Sequence, residues 1–264
     1  MQDLPLIMAA VNGASRTGAD HPMLPVTVEE TARAAAACHE AGAGAVHLHV
    51  RDRDGRHVLD AGLYRQATEA VHAATGGRML VQITTEAVGR YSPQEQRQVV
   101  RAVVPRAVSV ALREMVPDAG EEKEAAAFYG WAHGEDIAVQ HILYAPEEVL
   151  RFADLAARGV VTGERFQLLF VLGRYAKGQE SDPASLFPFL TALGETGLEQ
   201  RCDWAVCAVG VSETRSLATA LALGGRIRVG FENSLWNADG SVAADNAERV
   251  ARMAAIAGAL GRQI

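Results

Sequence analysis

The sequence predicts an α/β protein built as one (β/α)8 barrel. Eight apolar segments typical of buried strands alternate with eight segments of helical pattern, which is the order of elements in such a barrel. The eight pairs occupy almost all of the 264 residues, close to the roughly 250 residues typical of the fold. No linker, low-complexity tract or convincing repeat interrupts them. We therefore expect a single domain over residues 1–264. A doubly wound open sheet is the alternative, and the count of eight favours the barrel.

The boundaries of these elements follow from turn and capping residues. Thr27 and Glu30 have the spacing of a capping box at the start of the first helix, Ser92 and Glu95 repeat it at the third, and Gly76 ends the second. In chain order, the predicted strand and helix pairs are 4–11 with 27–41, 45–50 with 61–74, 79–84 with 92–103, 107–112 with 121–132, 137–143 with 146–157, 166–172 with 183–193, 204–209 with 212–223, and 227–232 with 243–260.

The later pairs follow the same rules. The fifth and sixth helices are predicted to begin at Pro146 and Pro183, and Pro93 stands in the first turn of the third, where the missing N–H of proline costs no hydrogen bond. Ser212 begins the seventh helix, and the fourth helix has the weakest pattern. Each predicted strand is a short apolar run between turn residues, as expected for strands buried on both faces.

Composition excludes several classes of function. Of the residues, 49% are hydrophobic and 22% are charged, which is a mixture that builds a packed core. No apolar run approaches the length of a membrane span, and we expect no secretory leader at Met1. The net charge of −7 and the scattered arginines argue against a nucleic-acid or membrane surface. Cys38, Cys202 and Cys207 have no paired spacing, which indicates reduced thiols in a cytoplasm.

The second predicted strand carries the clearest chemical signal. Residues His47 and His49 are two apart in the apolar run 45–50, so their side chains point to the same face near the carboxyl end of the strand. Active sites of these barrels lie at that end. Two neutral imidazoles are common zinc ligands, and an open site needs a third protein ligand. Two histidines held only by structural hydrogen bonds are the alternative.

The eighth predicted strand offers the third ligand. Alternation places Arg228, Gly230 and Glu232 on one face, where they fill a core poorly but suit a site. Strands eight and two both neighbour strand one, so we predict a metal site of His47, His49 and Glu232. An ordinary ion pair between Arg228 and Glu232 is the alternative.

Other predicted strand ends add polar groups. Hydroxyls at these positions could orient a carbonyl or carboxylate, and an arginine could hold an anion. These residues are Thr84, Glu86, Ser109, His141 and Arg174. The remaining histidines fall in predicted loops or helices, where we expect them to be solvated: His21, His39, His57, His72 and His133.

Two long segments resemble the β-keto acid cleavage enzyme family. They are Ala-Gly-Ala-Gly-Ala-Val-His-Leu-His-Val-Arg-Asp at 41–52 and Gly-Gly-Arg-Ile-Arg-Val-Gly-Phe-Glu-Asn at 224–233, together with Pro-Val-Thr at 25–27. The likeness runs from the first strand to residue 262 and is weakest over 92–166. It implies a zinc-dependent (β/α)8 barrel, commonly a homotetramer, that condenses a β-keto acid with acetyl-CoA to give acetoacetate and a new acyl-CoA.

The resemblance also implies roles for single residues. His47, His49 and Glu232 match the family's metal ligands, and Arg228 matches an arginine that supports the catalytic base. Thr84 stands where the family often has a serine at the end of strand three. Ser109 matches a strand-four threonine that helps bind the reacting groups.

Three positions depart from the family's pattern. Asn233 occupies the place of the catalytic Asp, and an amide is no base near neutral pH. Glu86 adds a carboxylate at the rim, and our hypothesis is that it replaces that base. Ser15 stands where the 3-keto-5-aminohexanoate enzymes have a Glu that binds the substrate ammonium, so we expect a neutral or anionic side chain on the keto acid. The family's usual Thr-Pro-x-x-Ala-Arg tail is not found before Ile264.

Two other functions remain open at this point. One is a metal hydrolase of the amidohydrolase type, which also carries two histidines two apart on a barrel strand, with further histidines expected on strands five and six; only His141 fits. The other is a non-catalytic relative that keeps the metal and binds a keto acid, which the loss of the Asp at Asn233 suggests.

Overall fold

The computed structural model describes residues 4–264, apart from the side chain of Lys177. Eight parallel strands close into a barrel, each followed by a helix, which confirms the predicted single-domain (β/α)8 fold. Every neighbouring pair follows chain order, and the first strand pairs with both the second and the last. The strands are β1 Ile7–Ala10, β2 Ala45–Leu48, β3 Leu80–Thr84, β4 Ala107–Ala111, β5 Ala138–Leu143, β6 Phe166–Leu172, β7 Cys202–Ala208 and β8 Arg226–Val229.

The helices form the outer layer, and the first and third begin where their capping residues predict. The sixth and eighth begin three residues later than predicted, at Leu186 and Asn246. Thr27 and Ser92 each close a reciprocal capping box with the glutamate three residues later. Gly76 ends the second helix in the left-handed conformation. The helices are α1 Val28–Glu40, α2 Ala61–Thr75, α3 Pro93–Val103, α4 Glu122–Gly134, α5 Pro146–Ala157, α6 Leu186–Thr196, α7 Glu213–Ala222 and α8 Asn246–Ala259. Short helical turns add Leu112–Met115, Ala119–Glu121, Lys177–Gln179, Pro183–Ser185 and Glu199–Arg201.

Several element bounds differ from the prediction by up to three residues, and two differences affect the site. The eighth strand ends at Val229 rather than at residue 232, because the chain turns at Gly230. After β2 the chain forms a two-stranded ribbon, in which Val50–Arg51 pairs antiparallel with His57–Val58 around the predicted turn. The ribbon lies over the carboxyl end of the barrel and brings its own side chains to the site described below.

The core lies mainly between the barrel and the helices. The interior of the barrel is filled near its amino-terminal end by small and medium apolar side chains such as Met8, Leu80 and Ala107. Towards the carboxyl end the interior becomes polar, with Gln82 and Gln140 fully or almost fully buried and hydrogen-bonded to each other at 3.2 Å. Among the described residues, no helix is both long and apolar enough to cross a membrane.

Candidate active site

A cavity of about 450 Å³ opens at the carboxyl ends of the strands. This is the end at which barrels of this type carry their active sites. All the predicted site residues except one line it; these are Ser15, His47, His49, Thr84, Glu86, Ser109, Arg174, Arg228, Glu232 and Asn233.

His47 of β2 and His49, the first residue after that strand, both line the cavity, and each is held by a partner. His47 Nδ1 lies 2.8 Å from Gln82 Oε1, and the Gln82 amide is oriented by its bond to Gln140. The His47 ring therefore donates through Nδ1 and keeps a lone pair on Nε2. The backbone of His49 is fixed by Asn12, whose side chain both accepts from and donates to it at 3.0 and 2.9 Å.

Glu232 reaches the same point from a turn. The predicted strand alternation ends at Val229, and Gly230 has a φ of 147° that few other residues adopt. A side chain at Gly230 would also collide with the carbonyl of Ala10. Beyond it the Glu232 N–H donates to that same carbonyl at 3.1 Å, so β1 positions the carboxylate.

The three predicted ligands present one atom each to a common point. His47 Nε2 and His49 Nε2 are 3.2 Å apart, and they lie 3.4 and 3.6 Å from Glu232 Oε2. Ligand atoms on tetrahedral zinc bonds of about 2.0–2.1 Å are about 3.3 Å apart. Glu232 Oε2 is buried without a hydrogen-bond partner. These observations fit a divalent metal bound by two imidazoles and a carboxylate.

The electrostatics keep His47 and Glu232 in the protonation states that a metal needs. Burial and then the nearby Arg228 lower the pKa of His47 to about 3, so the ring is neutral at physiological pH. Burial acts to raise the pKa of Glu232, but Arg228, His47 and His49 lower it well below its usual value. Arg228 Nη2 lies 3.0 Å from Glu232 Oε1, while its Nε and Nη1 are buried without partners.

Two hydroxyls and a second carboxylate line the same cavity as the three predicted ligands. Thr84 Oγ1 accepts from the Glu86 N–H at 3.0 Å, and Ser109 Oγ is buried without a partner. Glu86 Oε2 lies 3.7 Å from His49 Nδ1, and Arg174 Nη2 lies 3.9 Å from Glu86 Oε1. Thr84, Ser109 and Glu86 thus surround the space next to the three ligands.

The opposite wall of the cavity is apolar. Ala111, Ile142 and Val171, from the middle strands of the barrel, pack together and line it, with Tyr144 above them. One half of the cavity therefore offers charged and hydrogen-bonding groups, and the other offers aliphatic surface. Such a division suits a small molecule with a polar end and an apolar end.

His141 is the predicted site residue that does not reach the cavity. Its side chain points outward from β5 and packs against Tyr129 of α4 and Phe152 of α5, with ring centroids 5.3 and 4.8 Å away. The inward position of that strand belongs to Ile142, because successive side chains alternate. The structure therefore contradicts the substrate-binding role predicted for His141.

Two histidines expected to be solvated are buried. The ring of His21 stacks on Phe231 at 4.5 Å, and its Nε2 is 3.0 Å from the Ala243 carbonyl. The ring of His57 lies against His49, and burial and then His49 lower its pKa to about 3. Both predictions are wrong because local polarity did not reveal the long-range packing of these rings.

Residues behind the site were not predicted to have roles. Gln82 and Asn12 hold the two histidine ligands, and Asn246 holds the turn before Glu232 by accepting from the Phe231 N–H at 2.8 Å. The sequence indicates a special position only for Gln82, whose polar side chain interrupts the apolar residues 80–83 of β3.

Sequence and structure comparisons identify the family. A profile of the β-keto acid cleavage enzymes matches residues 5–264. The chain belongs to the β-keto acid cleavage enzyme family. A relative named 3-keto-5-aminohexanoate cleavage enzyme, from Fusobacterium nucleatum, is 27% identical over 269 residues and is aligned over 100% of this chain and 95% of its own. A relative named 3-oxoadipate:acetyl-CoA acetyltransferase, from Cupriavidus necator, is 24% identical, with 98% of this chain and 90% of its own covered.

Solved structures support the fold of this family member. The structure titled apo ObcA superimposes with a TM-score of 0.73 at 17% identity, covering 92% of this chain. This chain spans 63% of the length of that protein. A likeness at this level of identity shows the shared barrel and nothing about the reaction.

Proposed function

We propose that this family member is a zinc-dependent acyltransferase that takes a β-keto acid and acetyl-CoA and forms acetoacetate and a new acyl-CoA. The observation that carries the proposal is the triangle formed by His47 Nε2, His49 Nε2 and Glu232 Oε2, in a cavity whose other groups suit a keto acid. In this exchange the bond between Cα and the keto carbon of the substrate breaks. The acyl fragment joins the CoA sulfur, and the CH2–COO⁻ fragment joins the acetyl group.

His47, His49 and Glu232 would hold the metal, which would supply a Lewis acid for the keto and carboxylate oxygens of the substrate. Arg228 lines the cavity, its Nε and Nη1 are buried without partners, and it adds positive charge where the substrate is anionic. The hydroxyls of Thr84 and Ser109 are positioned to donate to substrate oxygens.

Glu86 is the base in this proposal. Abstraction of a proton next to a carbonyl needs a carboxylate or a similar group, and Asn233 cannot supply one. The Glu86 carboxylate lies in the cavity, 3.7 Å from the His49 ring, and Arg174 is near it. The apolar wall of Ala111, Ile142 and Val171 would pack the side chain of the keto acid. Ser15 lines the cavity and supplies no carboxylate at its own position to bind an ammonium group, so a neutral or anionic side chain is favoured.

The hydrolase alternative has lost its support. It required histidines from strands five and six, but His141 lies outside the cavity and the range of β6, Phe166–Leu172, contains no histidine. We also propose assembly as a homotetramer, which rests on the family resemblance, and a cytoplasmic location, which rests on three free, buried cysteines.

The test is formation of acetoacetate from acetyl-CoA with a panel of keto acids. We expect turnover with neutral or dicarboxylic β-keto acids and the least with an amino keto acid. Absence of acetoacetate with every member of the panel, in protein loaded with Zn²⁺, would favour the non-catalytic alternative. Tetramer formation is checked by measuring the molar mass of the purified protein by size-exclusion chromatography with light scattering.

The role of Glu86 is tested by Glu86→Gln. Loss of a positioned base lowers kcat by about 10²–10⁴-fold. Glu69→Gln, an exposed change on α2, is the matched control. Because Asn233 lines the same cavity at the place of the family's Asp, adding Asn233→Asp to Glu86→Gln should restore part of the lost rate. Unaltered turnover in Glu86→Gln would rule out Glu86 as the base.

A further inference from the structure

His57 stands between a metal ligand and the proposed base. It belongs to the two-stranded ribbon, where its register against Arg51 fixes the backbone, and only 3% of it is exposed. Its Nδ1 is 3.3 Å from His49 Nδ1, and its Nε2 is 3.0 Å from the carbonyl oxygen of Glu86. Both ring nitrogens are therefore occupied, by two partners on different elements.

The partners determine where the protons lie. A carbonyl oxygen only accepts, so the His57 Nε2–H must donate to Glu86. A neutral imidazole carries one N–H, which leaves the His57 Nδ1 as an acceptor. The group facing it is then the His49 Nδ1–H, which donates. His49 in turn has its lone pair on Nε2, the atom that lies 3.2 Å from His47 Nε2.

We propose that His57 is a positioning residue that fixes the tautomer and ring orientation of His49 for metal binding and holds the loop that carries Glu86. It does for His49 what Gln82 does for His47, because each ligand ring donates its second N–H to a buried acceptor. The inference rests on the metal-dependent function proposed above, but its test measures metal binding rather than turnover.

Three variants separate the two contacts of His57. His57→Phe keeps a ring and removes both hydrogen bonds. His57→Asn places an amide oxygen at the distance of Nδ1 from the backbone, so it can still accept from His49 but does not reach the Glu86 carbonyl. His57→Gln places its amide at the distance of Nε2 and keeps only the Glu86 contact. His133→Phe, at an exposed position, is the control.

The measurement is the Zn²⁺ dissociation constant of metal-stripped protein, obtained by competition with a chromogenic chelator. We expect about 10–100-fold weaker binding in His57→Phe, similar weakening in His57→Gln, and His57→Asn and His133→Phe within about threefold of the unchanged protein. The visible spectrum of the Co²⁺ form should change in the same order.

Equal affinity in His57→Phe and the unchanged protein would overturn the proposal. If circular dichroism shows that His57→Phe does not fold, the other two variants decide. Tighter binding by His57→Asn than by His57→Gln supports the proposal, and equal or reversed affinities overturn it. A protein that shows this order but makes no acetoacetate would refute the proposed function and leave the role of His57 intact.

Discussion

A buried ion pair behind the site gives the sharpest stability prediction. Arg249 of α8 and Glu213 of α7 are both fully buried, with 2.6 Å between Arg249 Nη2 and Glu213 Oε2. The other carboxylate oxygen of Glu213 accepts from the Gly230 N–H at 3.4 Å, at the turn that carries Glu232. Changing Arg249→Met removes the ion-pair partner of this buried carboxylate and leaves it only the weaker attraction of Arg16.

The magnitude follows from burial and linkage. Removing one partner of a fully buried pair costs about 3–5 kcal/mol of unfolding free energy. Burial already raises the pKa of Glu213 to about 7 although Arg249 lowers it, and without Arg249 the pKa rises further. A carboxyl whose folded pKa is raised contributes stability at low pH and loses it as the pH rises. Above pH 7 the folded variant holds one more proton than the unchanged protein, so the cost should grow by up to about 1.4 kcal/mol per pH unit.

The assay is urea unfolding at pH 6, 7, 8 and 9. The double variant Glu213→Gln with Arg249→Met should remove the pH dependence of this cost, because no titrating carboxyl remains at this pair. Arg252→Met is the matched control on the same helix, where a partly exposed pair with Glu248 is worth less than about 1 kcal/mol. A cost of Arg249→Met below about 1 kcal/mol, or one that does not change with pH, would refute the reasoning.

Three further outcomes are expected. Burial lowers the pKa of His141 to about 3, so the unchanged protein has a stability contribution that is present above pH 6.5 and lost towards pH 3. His141→Leu removes this titrating ring, so its free energy of unfolding, measured with urea, should fall less on acidification, by about 2 kcal/mol at pH 5. The KM for the keto acid should be unchanged. In Gln82→Leu, His47 loses the acceptor of its Nδ1–H, and Zn²⁺ affinity measured by chelator competition should fall about 10–100-fold; an unchanged affinity would contradict the role of Gln82. Removal of bound metal by a chelator should abolish acetoacetate formation, and Zn²⁺ should restore it; activity that persists in demonstrably metal-free protein would exclude a metal-dependent reaction.

The fold was predictable because local signals and chain order agree. The capping boxes at Thr27 and Ser92 placed two helices to within one residue, and Pro146 placed α5 at its observed start. Strand eight was predicted too long because its apolar pattern continues through Phe231, while the turn at Gly230 depends on the Ala10 carbonyl of another strand. Contacts that are distant in sequence leave no local pattern.

The site was predictable to the same extent. His47, His49 and Glu232 were predicted to come together, and their ligand atoms do lie within 4.8 Å of one another. Alternation accounts for the two histidines, whereas Glu232 reaches the same point from the turn after β8 rather than from a strand. The burial of His57 was not predictable, because it depends on a ribbon register and on the Glu86 carbonyl. The error at His141 has a different cause. The predicted strand is present, but the polar residues Gln140 and His141 are adjacent in it and point to opposite faces, and Gln140 is the one that faces the barrel interior.

The end of β1 connects all three proposed metal ligands, although it supplies none of them. The Ala10 carbonyl accepts from the Glu232 N–H, and the Asn12 side chain holds the backbone of His49. The Val11 carbonyl accepts from Asn246, which in turn fixes the turn before Glu232. His47 pairs directly with Ala10 in the sheet register. Because β1 is the strand at which the first and last elements of the barrel meet, the ligand triangle exists only when the barrel is closed. Metal binding and barrel closure should therefore be thermodynamically coupled, with each stabilising the other.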